Sequence, residues 1–203
     1  MDFIVLSSSR GTTFQAVIDA IQKGSLTATC KGLVSDREDR GCTKRATAAG
    51  LPVKIVEKKA TEAKEEYDQR VHAAILSLLP SPIPSPVPII AALGWMFIFT
   101  PWFISQWRDR IINVHPALLP KYGGKNMYGD KVHQAVLDSE DRESGITIHL
   151  MDEGVDTGKI LLQKKCPVLP GDTVETLKAR VQGLEKEWYP KVLEMIELGE
   201  IVL

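Results

Sequence analysis

The chain has 203 residues, a length that fits one domain and can bury a sizeable core without disulfides or metals. It is 44% hydrophobic and 25% charged with a net charge of −1, and its Lys and Arg are interleaved with Glu and Asp. That balance argues against a phosphate-backbone binder, which carries a basic excess or a basic stripe. The three cysteines, Cys30, Cys42 and Cys166, form no CxxC pair, so they suggest neither a disulfide framework nor a zinc site and fit the reduced cytoplasm.

The chain opens MDFIVLSSSR, which has no basic leader and too short an apolar stretch for a secretion signal. Asp2 to Leu6 reads as a strand, and Ser7 to Thr13 as a turn of small residues. Phe14 to Lys23 then sets Phe14, Val17, Ile18 and Ile21 on one helical face. A second strand is expected over 28–34, a helix over 43–49 closed by Gly50, a third strand over 53–56 and a third helix over 61–79. The proline cluster from Pro80 to Pro88 makes a stiff extended connector.

Val87 to Ile104 is nearly all apolar and approaches the length of a membrane span. Pro88, Gly94 and Pro101 divide it, however, and Thr100-Pro101 has the form of an N-cap followed by a first-turn proline. A buried strand over 89–93, a tight loop and a helix over 101–107 are expected instead. A strand over 110–114, a helix over 131–138 and strands over 146–151 and 159–167 follow. Asp172 with Glu175 suggests a capping box opening a final helix over 174–198.

Short apolar runs alternating with amphipathic stretches predict an α/β fold with a doubly wound, mostly parallel, Rossmann-like sheet. In such sheets ligands bind beyond the carboxyl ends of the strands, where strand order reverses. The turn after the first strand and the segments after the fourth and fifth are therefore the places for chemistry.

In IINVHPALLPKYGG, Asn113 and His115 stand two apart at the end of an apolar strand, so both side chains can leave one face. An Asn amide can donate to a developing oxyanion, and a His titrates near neutrality. In HLMDEGVDTGKILLQ, Asp152, Glu153 and Asp156 share a loop with Gly154 and Gly158, and a carboxylate brought beside His115 would favour its imidazolium. Read on residues alone, a loop-satisfying histidine and a solvent-exposed acidic hairpin remain open. His133 reads as a surface helix residue and His149 as a structural strand residue.

Together, N-x-H-P-x-L-L-P-K-Y and D-E-G-x-D-x-G resemble the folate-dependent formyltransferases over nearly the whole chain, from Phe3 to about Glu194. The single-domain size is similar to members that formylate glycinamide ribonucleotide in purine biosynthesis. The resemblance implies one formyltransferase domain over 1–203, with a phosphate and substrate half over about 1–100 and a catalytic and folate half over about 89–203. It implies Asn113, His115 and Asp156 as the catalytic trio. It also implies 10-formyltetrahydrofolate as co-substrate, no metal, a phosphate seat at Gly11, Thr12 and Thr13, and substrate contacts from Gln182 and Glu185. Folate contacts are implied at Lys64, Met96, Phe97, Ile98 and Phe99. Its partners would be these two small molecules, without nucleic acid or membrane, in a cytoplasmic monomer or homodimer.

The chain departs from the family's pattern in three places. The first turn has Ser9 and Thr12-Thr13 where G-x-G-S-N is usual, and Phe97 stands where Arg is common. Lys125 to Asp130 lengthens the loop after the first motif, and a loop there could cover a site. Related formyltransferases acting on tRNA or sugar amines, a 10-formyltetrahydrofolate hydrolase, and a non-catalytic binding paralogue are the alternatives. The chain's end at Leu203 and its balanced charge set the tRNA reading lower, and the intact trio argues against the paralogue.

Overall fold

The computed structural model describes residues 1–203. Seven strands, β1 (Asp2–Ser7), β2 (Thr29–Ser35), β3 (Val53–Ile55), β4 (Ile89–Ala92), β5 (Ile111–His115), β6 (Glu143–Leu150) and β7 (Ile160–Pro167), form one sheet in the order β3-β2-β1-β4-β5-β6-β7. The first five pair in parallel, while β6 runs antiparallel to β5 and to β7. Six helices complete the fold: α1 (Thr12–Gln22), α2 (Gly41–Ala48), α3 (Lys64–Leu76), α4 (Pro101–Gln106), α5 (Asp130–Asp138) and α6 (Val174–Glu197).

The two-residue period of the strands explains why both faces are covered. Phe3, Val5, Ile89, Ala91 and Ile112 point into one core with residues of α1, α2 and α6, whereas Ile4, Leu6, Ile90, Ala92 and Ile111 point into a second core with α3 and α4. This is a doubly wound α/β, Rossmann-like fold, and strand order reverses between β1 and β4. No helix is long and apolar enough to cross a membrane. The apolar run near residue 90 is divided as its prolines and Gly94 suggest. Thr100 caps α4, and buried Asp68 accepts from both its N–H and its hydroxyl at 2.7 Å.

Several boundaries differ from the sequence expectation. The third helix runs only over Lys64–Leu76, because Ala63 is extended at φ −62°, ψ 150° and the chain turns at Ser77. β6 begins at Glu143 rather than Ile146, because Glu143, Ser144 and Gly145 pair with Pro167, Cys166 and Lys165 of β7. The final helix is capped by Thr173 with Thr176 rather than by Asp172 with Glu175. Asp172 instead takes the N–H of Leu169 and a two-point contact from Arg180.

The parts that flank the strand-order reversal are locked by close approach. Gly11 has φ +73°, and a Cβ there would lie 2.7 Å from Cα of Cys42. Gly94 has φ +74°, and its Cβ would meet Ser9 at 2.8 Å. Only glycine supplies this backbone without a clash, so the β1–α1 and β4–α4 turns sit directly against one another. Across the sheet, the Tyr189 hydroxyl donates to the carbonyl of Ile112 at 2.9 Å, which fixes α6 against β5.

Candidate active site

A cleft of about 450 Å³ opens at the carboxyl ends of β1, β4 and β5, where the doubly wound topology places ligands. Asn113 and His115 both reach it from the end of β5. The loop after β5 is held by Thr147 of β6, whose hydroxyl accepts from the N–H of Leu119 at 2.9 Å and donates to the carbonyl of Ala117 at 2.7 Å. That scaffold sets the peptide that follows, and Tyr122 turns its carbonyl back to accept from His115 Nε2 at 2.8 Å.

The other His115 nitrogen, Nδ1, lies 3.5 Å from Asp156 Oδ2. Both nitrogens of this buried ring therefore face acceptors, an arrangement that suits the doubly protonated form. Burial pushes the His115 pKa below its ordinary value, while Asp156 and the Tyr122 carbonyl pull it upward. Burial outweighs the two acceptors in the ligand-free protein, and negative charge arriving in the cleft shifts the ring toward imidazolium.

Asp156 is held in a left-handed conformation, φ 59°, which costs a non-glycine residue on the order of 1 kcal/mol or more. Its Oδ2 accepts the N–H of Gly124 at 3.0 Å, and its Oδ1 lies 3.7 Å from His149 Nε2. Tyr122 is also left-handed, at φ 61°. Two strained residues thus supply the two acceptors that flank His115.

Asn113 is oriented by His149. The His149 Nδ1–H donates to the Leu150 carbonyl at 2.8 Å, which leaves Nε2 as an acceptor for Asn113 Nδ2 at 3.2 Å. Burial holds the His149 pKa below its usual value, in keeping with a neutral ring in this tautomer. One amide hydrogen of Asn113 is used in this bond and the other is free for a ligand oxygen. His149 therefore lines the cleft and sets a site residue, beyond the structural strand role read from sequence. His133 departs further: it is only 2% exposed and lines the cleft instead of lying on the surface. The face of α5 that packs on α6 takes it inward beside Val132 and Val136.

Gly11, Thr12 and Thr13 line the opposite end of the cleft. Gly11 precedes α1 with no side-chain cap, so the first N–H groups of the helix are free for an anion. Gln182 and Glu185 face them from α6, and Thr13 Oγ1 donates to Glu185 Oε2 at 2.9 Å. Burial raises the Glu185 pKa, opposed by that Thr13 bond.

Met96, Phe97, Ile98 and Phe99 form a third wall. Phe97 and Phe99 turn inward onto Tyr67, Trp95 and Phe103, with ring centroids 4.0 to 6.0 Å apart. Met96 and Ile98, by contrast, are half exposed. Lys64 is not brought to the cleft; it stands exposed in the first turn of α3, outside the lining. The carbonyl of Tyr122 and the N–H of Gly124 are the contributors that sequence could not name.

The chain belongs to the formyl transferase family, whose model matches residues 1–193. Among relatives, it is 34% identical to a phosphoribosylglycinamide formyltransferase of Haemophilus influenzae, across 98% of this chain and 88% of that protein. It is 35% identical to the trifunctional purine biosynthetic protein adenosine-3 of Chironomus tentans, spanning 98% of this chain but 14% of that protein. A crystal structure of glycinamide ribonucleotide transformylase 1 from Symbiobacterium toebii superposes with a TM-score of 0.89 at 28% identity, covering 100% of this chain and 90% of that one. The phosphoribosylglycinamide formyltransferase of Brucella melitensis gives a TM-score of 0.83 at 34% identity, over 96% and 94% of the two chains.

Proposed function

We propose that this protein transfers the formyl group of 10-formyltetrahydrofolate to the amine of glycinamide ribonucleotide, a step of purine biosynthesis. The observation that carries the reading is the convergence of Asn113, His115 and Asp156 on one cleft that also contains the open end of α1. Attack of the amine on the formyl carbon produces a tetrahedral oxyanion. The free amide hydrogen of Asn113 and the Nδ1 side of His115 donate to that oxygen. Asp156 supports the imidazolium and receives the proton released by the attacking nitrogen, and the proton passes to the departing folate nitrogen as the bond breaks.

The phosphate of the substrate sits on the N–H groups at the start of α1, with the Thr12 and Thr13 hydroxyls beside it. Glu185 and Gln182 face the ribose and amine. Folate lies along the wall from Met96 to Phe99, where backbone groups between alternating side chains are free to bind its ring; with Phe97 in place of a cation, aromatic contact replaces charge there. Lys64 would meet only the distal, acidic end of a bound folate. The protein acts in the cytoplasm without a metal.

The test is steady-state turnover with both substrates. Tetrahydrofolate release that requires glycinamide ribonucleotide supports the reading. Release at the same rate without the amine identifies a hydrolase and refutes transfer.

A further inference from the structure

One cluster at the cleft is not used by the mechanism above. Lys178 of α6 lines the cleft one helical turn before Gln182 and two before Glu185, on the same face. Its Nζ lies 2.5 Å from Oδ1 of Asp130, the first residue of α5. Arg10, in the turn before α1, also lines the cleft, and its side chain makes no hydrogen bond. His133 lies one turn into α5. It is 2% exposed, its Nδ1 is buried without a partner, and no hydrogen bond engages its ring.

Three nitrogen-bearing side chains therefore line one end of the cleft, and Lys178 among them is held by the Asp130 carboxylate. Lys178 above all, then His133 and Arg10, hold the Asp130 carboxyl below the usual carboxylate range. Asp130 stands at the start of α5, directly after the 124–129 stretch that lines the cleft, and Glu175 is a second acidic group close to the pair.

The ion pair is poorly suited to a purely structural role. The Asp130 side chain is 67% exposed and that of Lys178 is 30% exposed, and exposed pairs contribute little to stability. Asp130 has a second source of support, because an acidic residue in the first turn of a helix is favoured by the helix dipole. It can therefore release Lys178 at small cost. His133 lacks a partner in the ligand-free protein, and a buried polar atom in that state costs free energy until something binds it.

We infer that Lys178, His133 and Arg10 form a second wall of the phosphate site, facing the α1 N-terminus, and that Asp130 is a resident anion which the substrate phosphate displaces from Lys178. A phosphate dianion carries twice the charge of the carboxylate and offers several acceptor oxygens, so it can engage Lys178 and the His133 ring together. The departures at Ser9, Thr12 and Thr13 are then offset by cations from α6 and the first turn.

This inference rests on the function proposed above, but its test does not need turnover. Inorganic phosphate is titrated calorimetrically into wild type, Asp130→Asn and Lys178→Met, and the KM values for both substrates are measured separately. Asp130→Asn should bind phosphate about threefold more tightly and Lys178→Met about tenfold more weakly, the scale of gaining or losing one charged contact. The KM for the phosphorylated amine should move in the same directions, with kcat and the KM for folate unchanged. Phosphate affinities within experimental error of wild type in both variants would overturn the inference, even with turnover intact. Wild-type failure to turn over, with the predicted phosphate affinities, would instead refute the function and leave the anion site standing.

Discussion

Replacing Asp156 with Asn is the sharpest perturbation of the site. The amide keeps the shape and can still accept the N–H of Gly124, but it removes the charge that lies 3.5 Å from His115 Nδ1. At an effective dielectric of about 20, unit charges at that separation interact by about 5 kcal/mol. Solvent at the partly exposed carboxylate and the retained Tyr122 carbonyl offset some of this. A loss of about 3–4 kcal/mol is expected in the transition state, a fall of roughly 200- to 1000-fold in kcat/KM.

The same substitution has a signature in pH. Burial lowers the His115 pKa and Asp156 raises it, so Asp156→Asn leaves burial less opposed and the ring loses its proton at lower pH. If imidazolium is the working form, the alkaline limb of the rate profile moves to lower pH. The assay is tetrahydrofolate release as a function of pH, with melting curves to confirm folding. Activity within tenfold of wild type and an unmoved alkaline limb would refute the reasoning.

Other expectations follow from individual contacts. Asn113→Ala removes an oxyanion donor and should lower kcat by about 10²–10³ with little change in either KM, measured by steady-state kinetics. Glu185→Gln keeps an oxygen to accept from Thr13 but removes a charge whose burial is unfavourable. The raised pKa means that this carboxyl favours the folded state most when protonated, and that contribution is lost as pH rises through the folded value. The variant should therefore be more stable than wild type at neutral pH, each ~1 kcal/mol appearing as about 2–4 °C in Tm, while binding the substrate amine less well. All four histidines, His72, His115, His133 and His149, have pKa values lowered chiefly by burial. The unfolded chain then binds protons more readily, so stability should fall as pH drops below about 6.5. Urea midpoints at pH 5.5 and 7.5 measure this.

Much of the fold was legible because its signals are local. Strands buried on both faces read as short apolar runs, and Pro101 and Gly94 marked where the longest such run must break. Boundaries failed where pairing decides rather than propensity: Glu143, Ser144 and Gly145 are unremarkable strand formers, yet β7 recruits them into β6. Asp172 fits a capping pattern, but Arg180 claims its carboxylate and Thr173 caps α6 instead.

The site shows the same division. Asn113 and His115 were readable from a two-residue spacing at a strand end, and Asp156 only through its motif. His133 could not be placed from its own helix, since the face that turns inward is chosen by α6. His149 looked structural because its partner, Asn113, is 36 residues away across an antiparallel pair. The carbonyl of Tyr122 and the N–H of Gly124 are backbone groups, and no residue identity encodes them. Lys64 was named only through the resemblance, and its place at the start of α3 leaves it exposed and outside the cleft.

The most direct measurement follows the fate of the formyl carbon. With isotopically labelled 10-formyltetrahydrofolate and glycinamide ribonucleotide, wild type should place the label on the amine in a one-to-one ratio with released tetrahydrofolate, and His115→Ala should slow that transfer by about 10³ or more. Label recovered as formate, or transfer at an undiminished rate by His115→Ala, would contradict the account.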